Sequence, residues 1–170
     1  MEVPFIISHF DQHDLLKDKV LSSIDKMPET SISYTTGHIS KCDWQLPRDY
    51  PRKYLDVLEE PIYTFVKKQF AKLGYSDVSI TNVWFQQYNK NSSHGWHEHL
   101  ECQWTNVYYL QFPEETPKTQ YLNRLSGEIH TFDVKEGDIL IFPSFITHCA
   151  PKNESDKTKT IISFNSNVRS

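Results

Sequence analysis

The sequence predicts a mainly β protein, a sandwich or barrel buttressed by helices on its N-terminal side. Three observations carry this expectation. Helical periodicity is confined to the residues before Gly74. After it come short runs of β-branched and aromatic residues, "SITNVWFQQY", "TNVYYLQF", "GEIHTFDV", "DILIFP" and "TIISFNSNV", between turns rich in Pro, Asn, Asp and Gly. Helices first and strands afterwards favours a β core with helices packed outside it. Finally, 170 residues at 38% hydrophobic content support one sizeable core and not two. Without a linker or repeat, one domain over 1–170 is expected, with a helical and irregular buttress to about residue 75 and a strand core over about 76–168.

The elements follow in order. "PFII" reads as a short strand, and Ser8 with Asp11 reads as a helix start. Leu15, Leu16, Val20, Leu21 and Ile24 then recur at helical spacing. Residues 27–53 carry Pro28, Pro47 and Pro51 and are expected to be an irregular lid or wrap. A second helix is expected over 54–73, stopped by Gly74, with Pro61 as a point where it could divide.

Charge and composition narrow the function. A net charge of −4 argues against a general nucleic-acid binder. The apolar patch in "MEVPFIISHFDQHD" is too short for a signal peptide or anchor, so no membrane partner is expected. Cys42, Cys102 and Cys149 are odd in number and widely spaced, which fits reduced thiols and a cytoplasmic location.

The chemistry concentrates in "SSHGWHEHLECQW", residues 92–104, with three histidines inside six positions. In an extended segment His97, His99 and Glu101 share one face, because strand periodicity is two. A distant partner, His148, stands at the end of "GDILIFPSFITH", where a buried strand would give it a dry, rigid floor. Three histidines, or two and a carboxylate, suit divalent iron; structural zinc knots use closely spaced cysteine pairs, which the chain lacks.

The run from "NVWFQQY" through "HEH", "TNVYYLQFP" and "EGDILIFPSFITHCAPKNESDKTKTIISFN" resembles the 2-oxoglutarate and Fe(II)-dependent oxygenase superfamily, specifically its small branch related to prolyl hydroxylases and found in bacteria and their phages. The resemblance covers about residues 80–168. It implies a double-stranded β-helix, or jelly roll, and the cofactors Fe(2+), 2-oxoglutarate and O2. It also implies hydroxylation of an aliphatic C–H, on a protein residue such as proline or on a small molecule. If the chain is phage-encoded, the host cytoplasm is the location.

Two ligand registers fit the family motif: His97, His99 and His148, or His99, Glu101 and His148. The first is favoured because Tyr88 stands nine residues before His97, near the prolyl-hydroxylase spacing. By the same resemblance Lys159 takes the far carboxylate of 2-oxoglutarate, with Lys157 as rival, and Tyr88, Tyr109 and Ser163 supply hydroxyls. Lys replaces the Arg usual in that branch, exchanging a rigid fork for a point charge. Trp96, Trp104 and the stretch 27–53 are expected to shape the substrate pocket. Two other readings remain: a cupin-type dioxygenase or isomerase using three histidines without 2-oxoglutarate, and a non-catalytic jelly-roll domain that binds metal for stability.

Overall fold

The computed structural model describes residues 4–170. Its elements run β1 (Ile6–His9), α1 (His13–Asp25), β2 (Ile32–Tyr34), β3 (Gly37–Ile39), β4 (Lys41–Cys42) and α2 (Lys53–Ala71). They continue with β5 (Asp77–Tyr88), β6 (His94–His97), β7 (Trp104–Gln111), β8 (Gln120–Asn123), β9 (Glu128–Thr131), β10 (Asp138–Pro143), β11 (His148–Ala150) and β12 (Lys159–Arg169). A six-stranded sheet has the order β1-β10-β7-β12-β5-β4, and a four-stranded sheet has the order β6-β11-β8-β9. The β2–β3 hairpin stands apart as a two-stranded sheet. All of the strand pairs are antiparallel.

The mainly β composition with two helices is as expected, but the double-stranded β-helix, or jelly roll, is not. Neither large sheet curls into a barrel: the first ends at β1 and β4, the second at β6 and β9. The physical reason lies in those edges. β4 contributes two residues and β1 only four, too little ladder to bond the edges together and close the sheet.

The six-stranded sheet separates two cores, and strand alternation decides which side chain enters which. Tyr108 and Leu110 of β7, Ile162 and Phe164 of β12 and Phe85 of β5 pack against the helices. Val107, Tyr109, Ile161, Trp84 and Tyr88 point the other way, into the space roofed by the four-stranded sheet. Tyr108 and Tyr109 therefore face opposite cores, and Tyr108 is helix packing, its hydroxyl 2.6 Å from Nδ1 of buried His13.

The first helix starts later than the sequence suggests. Ser8 is not a cap; it pairs with Ile139 in the β1–β10 ladder, and α1 begins after the turn at Gln12. Ladder bonds along β1 outweigh a single capping bond. Leu15 consequently points to solvent while Leu16, Val20 and Ile24 are buried. In α2 Pro61 does not divide the helix. Its missing N–H and ring clash cost about 3 kcal/mol. Burial of Leu58, Ile62, Phe65 and Val66 on one face offsets this, at about 1.5–3 kcal/mol per large side chain. Gly74, at φ +88°, turns the chain out of α2 as expected.

Candidate metal centre

The site is built where the two sheets face each other. β6 and β11 are neighbours in the small sheet, and their register places His97 directly opposite His148. His99 lies just past β6, its backbone N–H bonded to the Ser144 carbonyl. One nitrogen from each of the three rings lies within 4.8 Å of the other two. Glu101 is exposed and outside this cluster, though it lines the cavity beside it.

Hydrogen bonds orient all three rings alike. His97 Nδ1 donates to the Gly95 carbonyl (2.7 Å), His148 Nδ1 to the Ile146 carbonyl (2.8 Å) and His99 Nδ1 to the Asn165 side-chain oxygen (2.7 Å). Each carbonyl can only accept, so each Nδ1 carries the proton and each Nε2 keeps its lone pair. Burial lowers the pKa of all three and brings His97 to about 4, so protons do not compete for those lone pairs at neutral pH. Three converging lone pairs without a donor among them call for a cation, and fixed second-nitrogen partners are what metal-binding imidazoles use. The donor set therefore fits a divalent transition metal.

A fourth histidine, His94, stacks on His97 at 3.8 Å between ring centroids. It lies outside the cluster and lines both cavities that adjoin it.

The inner cavity, about 30 Å³, lies against the large sheet. Tyr88 of β5, Thr105 of β7 and Ser163 of β12 line it together with the three histidines. Deeper in the same layer is Lys159, paired in register with Tyr88 and only 1% exposed. It shares a strand face with Ile161 and Ser163, as strand alternation requires. Its ammonium donates to the Pro117 carbonyl (2.8 Å) and sits 5.2–5.8 Å from the centroids of the Phe112, Tyr88 and Tyr109 rings. Among the described residues it has no carboxylate partner. Burial alone pulls its pKa down to about 7. Tyr109 bonds Thr119 Oγ1 (2.7 Å), and Ser163 donates to Gln86 Oε1 (3.2 Å). Lys157, by contrast, is exposed in the turn.

The outer cavity, about 250 Å³, opens from the histidines to solvent. Its walls include Tyr34, Trp44 and Trp84, with Asn165 at its base. The stretch 27–53 thus supplies part of the wall, but the tryptophans are not those the sequence singled out. Trp104 packs on Phe70 in the helix-side core, and Trp96 is half-exposed outside both cavities. Gly37 lets the β2–β3 hairpin reach the site: a Cβ there would lie 2.7 Å from the Ser93 carbonyl oxygen. That approach stacks Tyr34 on His94 at 5.1 Å.

Asp43 is the residue that sequence reasoning missed most completely. Fully buried, it accepts from Arg52 Nε (2.9 Å), the Tyr54 hydroxyl (2.7 Å) and the Phe85 backbone N–H (2.9 Å). Arg52 also donates to the carbonyls of Leu46, Pro47 and Tyr50, so the pair fixes the loop that carries Trp44. Nothing local in "CDWQLPRDY" reveals this, since Phe85 comes from a remote strand. Asp43→Ala should lower unfolding free energy by about 3–5 kcal/mol, because it leaves the buried Tyr54 hydroxyl and Phe85 N–H without an acceptor and the half-buried Arg52 without its counter-charge. Urea titration measures this, and a loss under 1 kcal/mol would mean that the loop is held by something else.

No protein-family model matches the chain, and no curated protein does. Solved structures do share its fold. An oxidoreductase of the 2OG-Fe(II) oxygenase family from Burkholderia pseudomallei superposes with a TM-score of 0.72 at 13% identity, over 95% of this chain and 84% of that one. A Pseudomonas putida prolyl-4-hydroxylase gives 0.61 at 14% identity, over 99% and 94%. A non-haem α-ketoglutarate-dependent epimerase from nogalamycin biosynthesis gives 0.70 at 11%, over 96% and 77%. At these identities the likeness is one of fold. No helix among the described residues is long and apolar enough to cross a membrane.

Proposed function

We propose that the chain is a 2-oxoglutarate- and Fe(II)-dependent oxygenase of the branch related to prolyl hydroxylases, a single domain that hydroxylates an aliphatic C–H on a protein side chain. The observation that carries this reading is Lys159. A buried ammonium with no counter-carboxylate is costly unless an anion arrives to meet it. Its place in the layer beneath the three-histidine cluster suits one end of a dicarboxylate whose other end reaches the metal. The fold shared with solved oxygenases supports the same reading.

His97, His99 and His148 would hold iron through Nε2, with Asn165 and the Gly95 and Ile146 carbonyls keeping their rings in place. Three neutral imidazoles leave the ion's two positive charges uncompensated, and 2-oxoglutarate, a dianion, supplies the balance. Lys159 would pair with its far carboxylate, while the Tyr88 ring, 5.5 Å from the ammonium, walls off water. Tyr88 and Ser163 line the path between Lys159 and the histidines. The inner cavity as it stands has room for about two waters. The Lys159 ammonium has three donors, so it can keep the Pro117 carbonyl while it meets the carboxylate, and the pocket must widen as the diacid enters. Bound iron and 2-oxoglutarate supply the oxidising chemistry: substrate, O2 and 2-oxoglutarate become hydroxylated substrate, succinate and CO2.

An anaerobic titration tests the proposal. With Fe(II) present, 2-oxoglutarate should raise a weak visible charge-transfer band that saturates at one equivalent. Iron binding without that band would favour the cupin-type dioxygenase, for which three neutral histidines are also a fitting donor set.

A further inference from the structure

The outer cavity carries a recognition pattern that the proposed chemistry does not itself require. The Trp44 and Trp84 rings meet edge to face, with centroids 4.6 Å apart. Trp44 is 51% exposed at the mouth, whereas Trp84 is buried and stacked on His99, and Tyr34, 44% exposed, has one face on His94. Glu98 and Glu101 are the carboxylates of the lining, which contains no lysine or arginine. Glu98 is already met by Arg124 and by the Thr147 hydroxyl (2.6 Å), which hold its carboxyl below the usual range. Glu101 takes part in no ion pair among the described residues.

We propose that this cavity selects a substrate bearing an alkylammonium group, a lysine-like side chain, with the ammonium held between the exposed Trp44 ring and Glu101. Its methylenes then run inward toward His97, His99 and His148. This rests on the oxygenase reading for the chemistry, but not for the recognition.

The argument is one of charge and size. The lining holds no lysine or arginine, so the carboxylates and ring faces at the rim decide which charge is welcome. An anionic substrate would face Glu101 and the negative faces of the rings. A neutral ring such as proline would pack on tryptophan but leave Glu101 without a partner. An ammonium satisfies both, since cations are drawn to aromatic faces within about 6 Å of the centroid. About 250 Å³ is also small beside the roughly 300–1,000 Å³ of small-molecule sites, and suits one side chain better than a nucleotide or a large metabolite.

The test compares N-acetyl-lysine N-methylamide with the neutral N-acetyl-norleucine N-methylamide and the anionic N-acetyl-glutamate N-methylamide. Binding is read by saturation-transfer NMR on the full chain, both metal-free and loaded with Zn(II) and 2-oxoglutarate. The lysine amide should bind at least about 3-fold more tightly than the norleucine amide in both states, as expected of a partly desolvated cation–π contact. Glu101→Gln and Trp44→Ala should each bring that ratio toward one. If Trp44→Ala fails to fold, the exposed Glu101→Gln carries the test alone. Equal binding of lysine and norleucine amides, preference for the glutamate amide, or no transfer to the lysine amide overturns the proposal. A 2-oxoglutarate titration of the same samples reports separately on the oxygenase reading, so the two can fail independently.

Discussion

His148→Ala should abolish the rise in melting temperature that a divalent metal gives the unmutated protein. An ion that binds only the folded state, at about a hundred times its dissociation constant, adds about 2.7 kcal/mol. For a chain of this size that is a rise of roughly 5–10 °C. His148 is 5% exposed and faces His97 across the β6–β11 ladder, so its removal takes away one of three donors. His97→Ala and His99→Ala should behave alike. Glu101→Gln should keep the full shift, because Glu101 stands outside the cluster. Differential scanning fluorimetry with Mn(II) or Zn(II) reads all four. A Glu101→Gln protein without the shift, beside a His97→Ala protein that retains it, would move the site to the His99, Glu101 and His148 register.

Lys159→Met should stabilise the ligand-free protein while weakening 2-oxoglutarate binding. Replacing even a buried ion pair by well-packed apolar side chains is often stabilising by about 1–4 kcal/mol, and a buried charge without a partner has less attraction to lose. Losing a charge-assisted bond to a carboxylate in a dry pocket costs about 1.5–3 kcal/mol, which is roughly 10- to 150-fold in affinity. Lys157→Ala should change that affinity less than about threefold, as for an exposed charge.

The same group predicts a pH dependence. Burial depresses the Lys159 pKa from 10.5 to about 7 in the folded protein. Below that value both folded and unfolded chains are protonated, and the burial penalty is present in full. Between pH 7 and 10.5 the unfolded chain holds the proton and the folded chain sheds it, so stability should rise across this window. Lys159→Met should flatten that rise. Affinity for 2-oxoglutarate should move the opposite way, falling above pH 7 as the ammonium is lost. Urea titrations and calorimetry at pH 6.5, 8 and 9.5 would follow both, and a Lys159→Met protein less stable than the original would refute the buried-charge account.

The sequence by itself determined what depends on local pattern. Alternation in "TIISF" put Lys159 on one face with Ser163, and alternation in "NVYYL" sent Tyr108 and Tyr109 to opposite cores. Spacing in "HEH" put His97 and His99 on one side, and the apolar run before His148 marked a buried strand. Gly74 ended a helix because only the left-handed backbone turns it there. Tertiary structure decided what depends on partners remote in the chain. That β1 pairs with β10, so that Ser8 joins a ladder and caps no helix, is a long-range choice between competing hydrogen bonds. Whether the sheets close depends on how many residues the edge strands β1 and β4 can offer, which no local pattern encodes. Trp44 and Trp84 became the pocket walls because Asp43 bonds Arg52 in the loop and Phe85 in a strand 42 residues away. The separation of His97 from Glu101 likewise came from folding: strand periodicity gave both the same face, but the chain leaves β6 at His97, and only His97 meets His148 across the ladder.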